Sequence, residues 1–341
     1  MSQDAAVSAG HRANRISELK PLINKYQVPS NATAVRQVVN SLGPYLLLWT
    51  LMYLALQISW WLVIPLAVLS GAFLVRVFII FHDCSHGSYF CSPRANTMMG
   101  FFCGMLVFTP YGQWRREHAA HHATAGNLDR RGVGDMWTMT VAEYQQASVW
   151  NRILYRVMRN PLFLFGIAPV YMFIIGQRIP TRNAKRSDLK SVWQMNLAVL
   201  AMVSTMMFIF GVVPYLVIQL IVVTVAGSAG FWLFYIQHQF EGTYWERDQN
   251  WDYVDAALHG SSFYKLPKVL QWFSGNIGFH HIHHLSPRIP NYNLERCHDS
   301  HPMFQDVHTV TLLSSLSAMS YHLWDESSHR LVSFRELKRS A

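Results

Sequence analysis

Two long stretches of the chain carry no charge. No Lys or Arg lies between Arg36 and Arg76 or between Lys190 and Arg247, and no Asp or Glu lies from Gln37 to His82 or from Ser191 to Phe240. Each stretch is about 40 to 50 residues long, room for two apolar spans of ~20 residues. A break divides each near its middle: Gln57-Ile58-Ser59-Trp60-Trp61 in the first, Gly211-Val212-Val213-Pro214-Tyr215 in the second. The pattern predicts two helical hairpins, with spans at about 41–57, 61–81, 192–211 and 215–236. Two further apolar runs, Met98–Phe108 with its two glycines and Leu162–Gly176 with Pro169, are too short to cross and read as interfacial or re-entrant. Val307–Trp324 mixes apolar and polar positions in a way that suits an amphipathic surface helix.

Charge gives these spans an orientation. Both hairpin turns lack Lys and Arg, whereas the long connecting segments are rich in them. The positive-inside rule then places both turns outside, and both termini in the cytoplasm. The expected organisation is an N-terminal cytoplasmic segment 1–40, a core domain 41–295 with cytoplasmic segments 82–191 and 237–295, and a C-terminal cytoplasmic segment 296–341. The predicted fold class is an all-α membrane protein: four transmembrane helices in two hairpins, under a cytoplasmic helical cap.

Composition agrees. The chain is 51% hydrophobic and only 14% charged, against roughly 25% charged in soluble proteins. A mean hydropathy of +0.12 still leaves much of it in water. The N-terminus is polar and shows no signal-peptide pattern, so insertion is expected to start from the internal spans. The net charge of +9 suits a basic cytoplasmic face. The basic residues flank apolar spans and form no stripe, which argues against nucleic acid. Cys84, Cys91, Cys103 and Cys297 show no CxxC pairing and read as reduced thiols.

The histidines carry the chemistry. His82 and His86 form HxxxH; His118, His121 and His122 form HxxHH; His280, His283 and His284 form a second HxxHH; His238 stands just past the fourth span. With 17 histidines in 341 residues, one chance HxxHH is expected about 0.04 times, so two are not accidental. Positions three and four apart share a helix face, so each box aims its imidazoles at one point. Imidazole binds iron, zinc, copper and nickel. Eight or nine are too many for one ion, so a di-metal site follows if the boxes converge. The inferred topology puts every box on the cytoplasmic side, close to the headgroups. His11, His259, His281, His298, His301, His308, His322 and His329 read as non-ligands. Asp83, Glu117, Asp129, Asp135 and Glu241 are candidates to orient ligand imidazoles through their second nitrogens. Asn276, four residues before His280, is a candidate to support a metal-bound water.

A structural zinc site would use four ligands, often thiolates, and soluble di-iron sites rely on carboxylates. All-histidine ligation beside a bilayer points instead to redox metals that activate O2 against a lipid C–H bond. The protein must hold the acyl chain at the right depth, and the small residues Gly227-Ser228-Ala229-Gly230 either leave room for it or serve close helix packing. Electrons must come from outside, since the chain has no GxGxxG, no ferredoxin cysteine spacing and no haem segment. An acidic carrier suits the basic face.

At these boxes, and in HDCSHGS, HHATAGNLDRRGVGDMWTMTVAEY and GSSFYKLPKVLQWFSGNIGFHHIHHLSPRIPNY, the sequence resembles the membrane fatty acid desaturase family, above all bacterial acyl-lipid desaturases of the delta-5 type. The resemblance spans residues ~40 to 295. It implies two iron ions, O2 as co-substrate, phospholipid acyl chains as substrate, and ferredoxin, flavodoxin or a similar donor. It implies a multi-pass protein of the bacterial cytoplasmic membrane with its active site on the inner side. The family's ligands map onto His82, His86, His118, His121, His122, His238, His280, His283 and His284. In the animal acyl-CoA branch an asparagine stands one turn before the isolated histidine; here Phe234 stands there, which argues against an acyl-CoA substrate. The expected double bond is at the delta-5 or delta-9 position of a saturated chain. The rival enzymatic reading is a hydroxylase or ketolase on a carotenoid or alkane. The rival from another class is a membrane metal transporter, which would place polar ligands within its spans.

Overall fold

The computed structural model describes residues 17–340, so His11 lies outside the described residues. A short helix α1 (residues 17–24) leads into the first hairpin, α2 (Asn31–Leu56) and α3 (Trp60–His86). Ser30 caps α2 by accepting from the Thr33 amide at 3.3 Å, and Ser59 caps α3 by accepting from Trp61 at 3.2 Å. Both helices run past the apolar limits read from sequence, because protein partners rather than water satisfy their polar inner turns. Gln37 donates to Asn291 at 2.8 Å, and the Tyr89 hydroxyl donates to the Ala34 carbonyl at 3.0 Å. α3 ends at Gly87, whose φ of 69° is the left-handed cap that favours glycine.

Next come α4 (Pro93–Leu106) and α5 (Tyr111–Thr124). α4 is too short to cross a membrane and packs on α3. Strand β1 (Met139–Thr140) and α6 (Val141–Gln146) lead to α7 (Val149–Met158), an amphipathic helix with Val149, Trp150, Leu154 and Val157 exposed. A π-helical turn (Phe163–Ile167) and α8 (Ala168–Ile174) follow; α7 and the segment 163–178 meet at a bend of 59°. The bent segment folds back against the second hairpin, with Pro169 of α8 against Gly227, where a Cβ would come within 2.9 Å. So Gly227 serves close packing, while nothing lies within 4 Å of a Cβ at Gly230. That hairpin is α9 (Arg186–Phe210) and α10 (Val212–His238), turned at Gly211 with φ 82°.

Four helices (α2, α3, α9 and α10) are thus long and apolar enough to cross a membrane. The chain is a multi-pass membrane protein of mostly helical build. α3 is the most enclosed of the four. It packs against α2, α4 and α10, and Gly71 lets it approach α10 so closely that a Cβ would meet Val225 at 2.7 Å. Arg76 of α3 is buried but fully partnered: Ser41 Oγ at 3.0 Å, Asn40 Oδ1 at 3.4 Å, the Trp272 carbonyl, and the Trp272 ring at 3.9 Å. A charge at such depth persists only with partners of this kind.

The remaining chain forms the cap: α11 (Tyr253–Leu258), β2 (Phe263–Lys265), α12 (Lys268–Phe273), α13 (His280–Leu285), α14 (Asn291–His298) and α15 (Pro302–Gln305). Strands β3 (Thr309–Thr311), β4 (Leu323–Asp325) and β5 (Arg330–Val332) precede α16 (Phe334–Ser340). β3 pairs with β2, and β4 joins β1 to β5. This corrects the amphipathic helix expected over Val307–Trp324. The β-branched Thr309-Val310-Thr311 pair in register with Phe263-Tyr264-Lys265, and the serine-rich stretch Ser314–Ser320 closes into a 3-10 helix.

Gly104 on α4 yields a test. A Cβ there would sit 2.7 Å from the Thr109 carbonyl, and backbone cannot swing aside. Gly104→Ala is expected to destabilise the purified protein by about 1–3 kcal/mol, read as a lower thermal midpoint in detergent. Gly43→Ala, with nothing within 4 Å, is expected to hold or raise that midpoint.

Candidate metal centre

Four parts of the fold deliver histidines to one buried place. α3 ends on His82 and His86, α5 carries the second box, α10 ends on His238, and α13 carries the third box. The imidazoles divide into two clusters. His82, His86, His118, His122 and His283 place ligand nitrogens within 4.8 Å of one another, and His121, His238 and His284 do the same. His280 joins the second group, its Nε2 being 3.0 Å from His238 Nε2 and its ring 4.6 Å from that of His284.

The division corrects the expectation that each HxxHH box aims at a single point. In the second box His118 and His122 face the first cluster and His121 the second; in the third box His280 and His284 go with the second and His283 with the first. Helix geometry explains it. Residues i and i+4 differ by about 40° around the axis, whereas i+3 and i+4 differ by about 100°. The first and last histidines of a box therefore pair, and the middle one reaches the neighbouring cluster.

Second nitrogens fix several rings. Asp83 Oδ1 lies 2.9 Å from His82 Nδ1, and Asp135 Oδ1 lies 2.5 Å from His121 Nδ1. The Gly260 carbonyl takes His238 Nδ1 at 3.1 Å. Asp83 is held in turn by the Asn291 amide at 2.6 Å and its side chain at 2.8 Å. In each case Nε2 is left to face the cluster. The other acidic candidates have different partners. Glu117, one residue and so about 100° round α5 from His118, lies 3.6 Å from Arg116. Asp129 binds Arg247 at 2.6 Å and the Asp248 amide at 3.0 Å. Glu241, exposed beyond the end of α10, accepts from the Tyr321 hydroxyl at 3.3 Å. Asn276 precedes α13 at a φ of 61° and bonds Gln271 and the Asn291 carbonyl. Asn291 and the Gly260 carbonyl carried no sequence signal, since one is a loop-end amide and the other is backbone.

The donor set fits metal ions. His122 Nε2 lies 3.1 Å from His118 Nε2 and 2.9 Å from His283 Nε2, so lone pairs converge without intervening atoms. The buried Nε2 atoms of His86, His121 and His284 have no hydrogen-bond partner. Burial first, and neighbouring imidazoles second, push His118, His122, His280, His283 and His284 well below the usual imidazole value. Neutral rings with free Nε2 atoms are what soft-to-borderline metal ions require. His281 turns away: its Nε2 meets the Phe304 carbonyl at 2.9 Å and His298 at 3.1 Å. His259, His301, His308, His322 and His329 stand near Asp255, Phe304, Phe240, Phe334 and Glu246, and belong to neither cluster.

Aromatic rings border the clusters. Trp114 stacks on His118 at 4.2 Å, and Phe234 lies 5.2 Å from His121 and 5.3 Å from His238. A cleft lined by His121, Asp135, Phe234, His238, Tyr244 and Gly260 opens beside the second cluster.

Comparison with known proteins bears on this arrangement. Residues 59–312 match the family described as fatty acid desaturase. A fatty acid desaturase of Bacillus subtilis (strain 168) is 44% identical over 96% of this chain and 93% of its own length. An sn-1 oleoyl-lipid 12-desaturase of Synechocystis is 24% identical over 84% of this chain and 83% of its own. An sn-1 acyl-lipid omega-3 desaturase (ferredoxin) of the same organism is 26% identical over 71% and 68%.

The Asp135 contact makes a test of the centre. Asp135→Asn keeps the shape but removes the charge that holds the His121 proton on Nδ1. Metal affinity is expected to fall about 10- to 100-fold, read by mass-spectrometric metal content after graded chelation. Glu241→Gln is expected to keep the full content.

Proposed function

The chain belongs to the fatty acid desaturase family, and from that premise we propose that its nine clustered histidines hold two iron ions that serve O2-dependent desaturation of phospholipid acyl chains. The single observation that carries the reading is the shared histidine supply: both HxxHH boxes contribute to both clusters, which suits a pair of ions. His82, His86, His118, His122 and His283 would hold one ion, and His121, His238, His280 and His284 the other. Bound there, the iron pair supplies the reductive activation of O2 that an unactivated C–H bond demands.

The chain's own residues supply order. Asp83, Asp135 and the Gly260 carbonyl keep protons on Nδ1 and so present Nε2. The Asp83–Asn291–Gln37 chain of bonds fixes the end of α3 against the cap. Burial of most of the imidazoles keeps water from the reacting carbons. In the overall reaction two neighbouring methylenes lose one hydrogen each. O2 gains four electrons, two from those C–H bonds and two from an external carrier, and leaves with two further protons as two waters.

The carrier is an acidic one-electron protein of the ferredoxin or flavodoxin kind, which the excess of 28 Lys and Arg over 19 Asp and Glu favours. The same charges, absent from both hairpin turns, favour a cytoplasmic centre and cytoplasmic termini in a bacterial inner membrane. Phe234, apolar and beside the second cluster, suits a chain delivered from the bilayer.

Expression with a ferredoxin system in a bacterial host of defined fatty acids tests this. Gas chromatography with mass spectrometry of the methyl esters is expected to show a new unsaturated ester, absent with His122→Ala. A hydroxylated ester instead would move the reading to a hydroxylase. An unchanged profile from iron-loaded protein would overturn it.

A further inference from the structure

Helix α7 (Val149–Met158) turns its apolar face outward. Val149, Trp150, Ile153, Leu154 and Val157 fall within an arc of about 140° at 100° per residue, and all five are exposed. Trp150 keeps 79% of its surface. A stripe this wide faces the core in a soluble protein; here no protein covers it. Tyr155, on the opposite side, faces the protein instead. It is fully buried, and its hydroxyl donates to the His322 carbonyl. Two contacts fix the level of α7. Arg159, just past its end, donates from Nη2 to Gln239 Oε1 at 2.7 Å, and Gln239 follows the last residue of α10. Beyond the exposed Leu162 the chain bends by 59°, and Pro169 meets Gly227 of α10. Gly227 lies roughly 16 Å from His238 along that helix axis. The chain thus reaches the depth of the spans directly after α7, and α7 stands at the rim where hydrocarbon gives way to headgroups.

The flank between the apolar arc and the protein carries Arg152, Arg156 and Arg159. Arg152 and Arg156 stand over one ring, Tyr144, each at 5.8 Å, and Arg156 also covers Phe334 at 4.6 Å. Two like charges therefore share one small area. Among the described residues no carboxylate pairs with any of the three arginines. The acidic groups next to the two rings in sequence are taken, Glu143 by Arg131 and Glu336 by Arg330. Arg152 donates to the Ala147 carbonyl at 2.9 Å and the Gln145 carbonyl at 2.6 Å, and Arg156 donates from Nε to the Tyr144 hydroxyl at 2.6 Å. Stacking orients the exposed Arg156 guanidinium and leaves its Nη groups for an acceptor from outside the protein. Crowded cations without a counter-charge, beside an apolar face at the rim of the bilayer, match the anion that the bilayer surface itself carries, a phospholipid phosphate.

We propose that α7 is an interfacial helix, which lays its apolar arc into the acyl region of the bilayer and binds the phosphate of an anionic phospholipid through Arg152 and Arg156. This role is separate from the chemistry of the histidine clusters. Arg159 carries the attachment inward to Gln239, so the lipid surface sets the level of the α10 end on which His238 stands.

Two measurements on the whole protein test it. For depth, a bimane fluorophore is placed on Trp150→Cys, with Cys91→Ser removing the exposed native thiol, and the protein is read in lipid nanodiscs. Quenching by acyl-brominated phospholipid and shielding from aqueous iodide are expected. Quenching by iodide alone would put α7 in water and overturn the proposal. For the headgroup, phosphatidylglycerol or phosphatidylcholine is titrated into the protein in detergent, and bound lipids are counted by native mass spectrometry. One arginine at an anionic surface is worth about fivefold in affinity. Arg152→Gln combined with Arg156→Gln is therefore expected to weaken phosphatidylglycerol binding by on the order of 20-fold, with phosphatidylcholine binding unchanged. Arg152→Lys combined with Arg156→Lys keeps the charges and is expected to keep most of the preference. If the double glutamine variant fails to accumulate, Arg156→Gln alone, with its about fivefold loss, takes its place. Equal binding of the two lipids by the wild type, or undiminished phosphatidylglycerol binding in the glutamine variants, would overturn the headgroup site. An acidic carrier protein that binds the wild type but not the glutamine variants, with the label open to iodide, would give the face to that carrier and overturn the proposal as well.

Discussion

Crowded nitrogen lone pairs govern this molecule. Imidazoles from four elements meet in buried space with Nε2 atoms 2.9 to 3.1 Å apart. Such a gathering of uncharged acceptors is repulsive in a low-dielectric interior and becomes attractive around cations. Every supporting contact can be understood as holding that arrangement together. Asp83 and Asp135 brace one ring each, backbone carbonyls brace His238 and His281, and the bundle brings the ends of α3 and α10 to the same level. Arg76 shows the same logic at depth, joining α2, α3 and the start of the third-box segment through Ser41 and Trp272.

The bilayer adds the second constraint. Only helices with internally satisfied backbones cross it, so the irregular pieces must lean on protein. Pro169 in the bent segment does so against Gly227, and Trp272 against Arg76. These contacts draw parts of the cap down beside the spans, where hydrocarbon is found. A centre for chemistry on lipid chains needs that proximity.

Much of this was legible in the residue order. The charge-free stretches revealed the four long helices because a charge in hydrocarbon is costly. The histidine boxes revealed the centre because nothing but metal ligation explains that spacing twice over. The division of the histidines between two clusters is not legible from spacing alone, since sharing a helix face does not mean sharing a target. The 100° between neighbours decides otherwise for His121 and His283. Bracing groups were half legible. Acidic residues next to histidines are easily noticed, yet only Asp83 and Asp135 curl back onto a ring, while Asp129 is drawn to Arg247 and Glu241 to Tyr321. Asn291 lies 208 positions from the Asp83 it holds, a distance no local pattern spans. The strands at the C-terminal end depend on partners equally remote in sequence.

That both HxxHH boxes serve both clusters has a consequence for how the protein is made. The first hairpin and the second box of a nascent chain are both made long before α13 leaves the ribosome. Until His283 and His284 arrive, neither cluster has its full set, and until Asn291 follows, Asp83 has no clamp. A complete ligand set is therefore assembled only near the end of synthesis, when the preceding helices are already in place. A truncated product from an interrupted message therefore lacks a complete cage for metal ions.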